Sequence, residues 1–122
     1  MIEHRTATVI EHLAQGAEQV RQANHASYGA SGQVTDYYDA FGAVVELVGY
    51  LSQTLAHLGS VVEHAEPERY RHDHHGDVAA ELATAAAALT AARHAVARMR
   101  TELNTAWSAL GQLAFTENRG AL

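Results

Sequence analysis

Apolar residues recur three and four positions apart along most of this chain. The clearest run is Val78, Leu82, Ala85, Leu89, Ala92, Val96, Met99, Leu103, Ala106, Leu110 and Leu113. Its mean spacing of 3.5 residues keeps these positions on one stripe of an α-helix and suits packing against other helices. A strand would need a period of two, so the pattern predicts an all-α fold. A second run comprises Tyr37, Phe41, Val44, Val48, Leu51, Leu55, Leu58, Val62 and Ala65, flanked by Val45, Leu47 and Val61. A third comprises Ile2, Thr6, Val9, Leu13, Gly16, Val20, Ala23 and Ser27.

These runs predict helices over about 2–26, 36–66 and 77–115, arranged in one domain, 1–122, as an antiparallel three-helix bundle built on a long helical hairpin with coiled-coil-like heptad packing. Gly29 is a candidate left-handed C-cap for the first helix. Thr35 or Asp36 suits the N-cap of the second and Asp77 that of the third. Pro67 stops the second helix. Gly42, Gly49 and Ala56 form a column seven residues apart, and a helical glycine costs about 1 kcal/mol against alanine. Close approach of another backbone would explain them. In the expected hairpin Asp77 lies near Glu66 and Trp107 near Asp36. The end of the third helix then overhangs, exposing Trp107, Leu110, Leu113 and Phe115 as a candidate homodimer contact. Cover by the chain itself is the competing expectation.

Composition reinforces the helical reading, because 25 of the 122 residues are Ala. With eight Arg and no Lys, it fits a GC-rich bacterial genome. There is no cysteine, which excludes disulfides and thiolate metal sites. The net charge of −6 argues against a nucleic-acid backbone binder. No apolar stretch is long enough to span a bilayer, and no secretory leader is evident. The expected location is the cytoplasm, with signal-independent secretion also open. Arg93 and Arg100 flank the third stripe, where Asp39 or Glu46 of the acidic second helix could pair with them.

Nine histidines raise the question of chemistry. The segment between the second and third helices holds His72, Asp73, His74 and His75, a nitrogen and oxygen set of the kind that binds metal. No pair of histidines is spaced i, i+4 on a helix. The Arg69-x4-His74 spacing resembles the motif of HEPN ribonucleases, all-helical domains of similar length, with Tyr70 where those enzymes place a small polar residue. That resemblance implies a phosphate-steadying role for Arg69 and acid–base catalysis by His74. Nucleophile elbows and phosphate-cradling loops are absent from the sequence. The leading expectation is a non-catalytic adaptor or assembly protein, without cofactor, that binds protein partners through helix faces. The alternative is a metal or ribonuclease site in the histidine-rich connection.

Overall fold

The computed structural model describes residues 2–26, 32–114 and 116. The chain divides into two compact units, 1–32 and 33–122. The first unit is helix α1, Ile2–His25, about 36 Å long at 1.5 Å per residue. Within it Arg21 clasps Glu18 in a two-pronged ion pair, Nε to Oε2 at 2.7 Å and Nη2 to Oε1 at 2.6 Å. The guanidinium holds the Glu18 carboxyl below its ordinary range, and the carboxylate raises Arg21 in turn. The expected cap at Gly29 lies outside the described residues.

The second unit is an antiparallel hairpin of α2, Tyr38–Glu63, and α3, Val78–Leu110. All elements among the described residues are helical, as the 3.5-residue period requires. The entry to α2 differs from expectation. A 3-10 turn, Val34–Tyr37, precedes the α-helix. Asp36 caps that turn, its Oδ2 accepting from the Gln33 N–H at 2.9 Å. Asp77 caps α3 as its sequence position suggests, accepting from the Ala80 N–H at 3.1 Å. Helix α2 ends at Glu63, and Pro67 opens a short 3-10 turn, Pro67–Arg69, that packs on α3. Proline tolerates this place because a first-turn N–H has no helical partner to lose.

The register of the hairpin corrects the simple end-to-end pairing. Trp107 lies on Gly42, six residues further along α2 than Asp36, and the Arg100 guanidinium lies on Gly49. A Cβ added at Gly42 would stand 2.6 Å from Trp107 Cζ2; at Gly49 it would stand 3.1 Å from Arg100 Cζ. The spacing is seven on both helices, so Gly42 and Gly49 face Trp107 and Arg100 in one register. The expected close approach of another backbone is not what occupies these glycines: bulky side chains of α3 fill the space that each missing side chain leaves.

At the hairpin mouth Leu110 and Leu113 line a cleft of about 300 Å³ with Thr35, Tyr38 and Gly111. One expectation falls with that register. Arg93 and Arg100 form no ion pair with Asp39 or Glu46, and the Arg100 guanidinium rests on Gly49 instead. Glu46 instead accepts from the Tyr50 hydroxyl at 3.2 Å.

Candidate functional site

The second apolar run resolves into two stripes. Phe41, Val45, Val48, Ser52, Leu55, Gly59 and Val62 recur at alternating intervals of four and three and are buried or half-buried. This stripe meets α3, and Val45 and Val48 are the buried hydrophobic residues among those described, at 6 % and 4 % exposure. Val44, Leu47, Leu51, Thr54, Leu58 and Val61 recur at three and four along an adjacent stripe. Here Val44, Leu47, Leu51 and Leu58 keep 38–42 % of their surface and Val61 keeps 69 %. Val44, Leu51 and Leu58, which the sequence pattern places in the same core as Val48, therefore form a second seam that α3 leaves open.

The open stripe is apolar even at its polar position. The Thr54 hydroxyl donates to the Tyr50 carbonyl one turn back, at 3.1 Å, so no unsatisfied donor faces outward. No charged residue lies on the stripe: Asp39 and Glu46 share a column with the neutral Gln53 and Ser60, away from both stripes. On α3 the column Ala92, Met99 and Ala106 precedes the Arg93/Arg100/Trp107 column by one residue. That places it at the other edge of the α2–α3 contact, on the side of the open stripe. Met99 is 44 % exposed there.

Of the residues expected at an overhanging contact, Trp107 is half-buried on Gly42 and 5.7 Å from the Tyr38 ring. Leu110 is half-buried and Leu113 exposed. Phe115 lies outside the described residues.

The histidine-rich connection forms a locally closed turn. The His75 N–H donates to the His72 carbonyl at 3.2 Å, and His75 adopts a left-handed backbone with φ of 60°. The His72 ring folds over Gly76, whose missing Cβ makes the space for it. Its Nδ1 accepts from the His74 N–H at 3.0 Å, and its Nε2 lies 3.9 Å from Glu81. His72, Asp73 and His74 line a shallow cleft of about 370 Å³ with Tyr70, Arg71 and Leu82. Among the described residues no three His, Asp or Glu side chains converge as a metal-binding group. Arg69 reaches toward Glu66 at 4.0 Å, with both side chains largely exposed. It does not line the cleft, and no hydrogen bond or ion pair joins it to His74.

The width of the second apolar run predicts a central helix touching two partners, without separating the stripe that each would meet. The signal for two faces was present: residues 41 to 62 hold two interleaved heptad series, each complete in itself. No described helix is long and apolar enough to cross a membrane. Comparison with protein-family models, curated proteins and solved structures finds no match to this chain.

Proposed function

We propose that the protein is a non-catalytic helical interaction module, in which α2 holds α3 with one seam and offers a second seam to another helix. The single observation behind this reading is the exposed stripe Val44, Leu47, Leu51, Leu58 and Val61. Its heptad spacing fits a helical partner winding left-handedly along α2, a more specific demand than apolar contact in general. Mechanism is then burial of that seam, with the acids away from it kept in water and excluding nucleic acid as a partner. A cytoplasmic, bacterial setting belongs to the same reading and rests on composition.

The test is substitution of Leu47, Leu51 and Leu58 by Ala, singly and together, with thermal melting at high dilution. An open face predicts losses under about 1 kcal/mol per site, because little packing is lost in the dissociated chain. A stripe buried in the chain's own core would lose about 2–5 kcal/mol per site, and that result refutes the proposal.

A further inference from the structure

We infer that the helix received by the open seam is α2 of a second copy, lying antiparallel, with the two-fold axis passing between Leu51 and Thr54. This rests on the interaction reading above and specifies its partner. An isologous contact requires a surface complementary to itself. The stripe has that property: reversed end for end about its midpoint, Val44 meets the partner's Val61, Leu47 meets the partner's Leu58, and Leu51 meets the partner's Thr54. Valine pairs with valine at the ends and leucine with leucine inside them. The one unlike pair sits beside the axis, where the Thr54 hydroxyl is already bonded to Tyr50 and presents its methyl group.

Electrostatics permits the pairing. From Asp36 to Glu66 the chain has five acids and no Arg, so two copies of α2 would repel if those acids flanked the seam. Of the helical acids, Glu46 reaches the outer edge, which carries Ala43, Tyr50 and His57, by accepting from the Tyr50 hydroxyl. About an axis at 52.5 its two copies lie about 20 Å apart along the helices, too far to repel strongly. The inner edge carries Val48, Leu55 and Val62, which already contact α3. A parallel pair would match any stripe to itself and gives the end-for-end symmetry no role. Antiparallel pairing about a perpendicular axis also sets both α3 helices on one side, so the two Met99 columns flank a single seam. Opposed helix dipoles favour the same orientation.

The absence of native cysteine makes the test direct. Glu46, Gln53 and Ser60 share one exposed column away from both seams. Each is replaced by Cys in turn, spin-labelled, and the label-to-label distance measured within the assembly. The axis at 52.5 predicts the shortest distance at 53, with about 20 Å of added axial separation at 46 and at 60. Sedimentation equilibrium of the unlabelled chain should give a dimer, and Leu51→Lys with Leu58→Lys should weaken it by at least about 100-fold. Helicity and the emission of Trp107, which reports the α2–α3 contact, should persist. If the lysine variants do not fold, Leu51→Ala with Leu58→Ala replaces them. A monomer at 100-fold the working concentration, a dimer indifferent to these substitutions, or equal distances at all three labels would overturn the inference. The dilute-chain melting test stands apart from these outcomes: a monomer that passes it retains the interaction reading with a different helix as partner.

Discussion

Gly42→Ala tests the register of the hairpin. The new Cβ would lie 2.6 Å from Trp107 Cζ2, 2.9 Å from Cε2 and 3.3 Å from Cη2. Ordinary carbon contacts are about 3.5–4.0 Å, so the indole or the whole mouth of the hairpin must retreat by about 1 Å. Overpacking of this kind costs about 1–3 kcal/mol. The same change gains about 1 kcal/mol of helix propensity, leaving a net loss of about 0–2 kcal/mol. Gly59→Ala is the control, because it lies in the same helix and its Cβ meets nothing within 4 Å. It should gain about 1 kcal/mol. Thermal melts at one fixed concentration, followed by circular dichroism and by the single Trp, should move in opposite directions for the two variants, by about 4–8 °C per kcal/mol. Trp107→Phe in the Gly42→Ala background should recover part of the loss, giving a coupling that single variants do not show. If Gly42→Ala raises the melting temperature as Gly59→Ala does, Trp107 is not seated on Gly42 and the register is wrong.

Three further outcomes follow from local contacts. Asp77→Ala removes the acceptor of the Ala80 N–H and should cost about 1 kcal/mol, with faster amide exchange confined to the first turn of α3. Gly76→Ala would set a Cβ 2.6 Å from His72 Nε2, expel that ring and free the His74 N–H. Imidazole 15N spectra should therefore show His72 with its proton on Nε2 in the wild type and lose that preference in the variant; an unchanged spectrum would contradict the turn described above. The Glu18 carboxyl should titrate below ordinary glutamate and return to the ordinary range in Arg21→Ala. Because the folded value is lowered, the pair's contribution to α1 is present above the ordinary range and lost as pH falls through the lowered value. Helicity of α1 that is indifferent to pH across that interval would contradict the pairing.

Periodicity alone revealed the helices, because a 3.5-residue repeat has one physical solution at this length. It also placed Asp77 at a helix start and singled out Gly42 and Gly49, although side chains of α3, rather than another backbone, come to rest on them. It could not fix the stagger of α2 against α3, since sliding by a heptad preserves every apolar match. What fixes the stagger is volume: Gly42 needs Trp107 and Gly49 needs Arg100, a complementarity visible only once the two columns are set side by side. For the same reason Arg93 and Arg100 were paired with Asp39 and Glu46 by charge, when the Arg100 guanidinium rests on Gly49. The stripe at Val44, Leu51 and Leu58 escaped separation from the core because burial, unlike hydrophobicity, depends on which neighbour arrives. The histidine-rich segment was legible in composition only. Its closure depends on the left-handed His75 and the bare Cα of Gly76, which the sequence does not distinguish from an open loop.

The indole N–H of Trp107 is buried and has no hydrogen-bond partner. Such an orphan costs about 1–3 kcal/mol, and only water can relieve it. It sits at the mouth, the end of the hairpin farthest from the covalent connection at 64–77. Parting the helices there hydrates the indole, while parting them at the connection brings no such relief. The hairpin is therefore a clothes-peg with its spring at the histidine turn and its jaws at Tyr38 and Trp107. A V-shaped gape at the mouth would bare Leu110 and part Tyr38 from Trp107, offsetting some of its cost by wetting the indole.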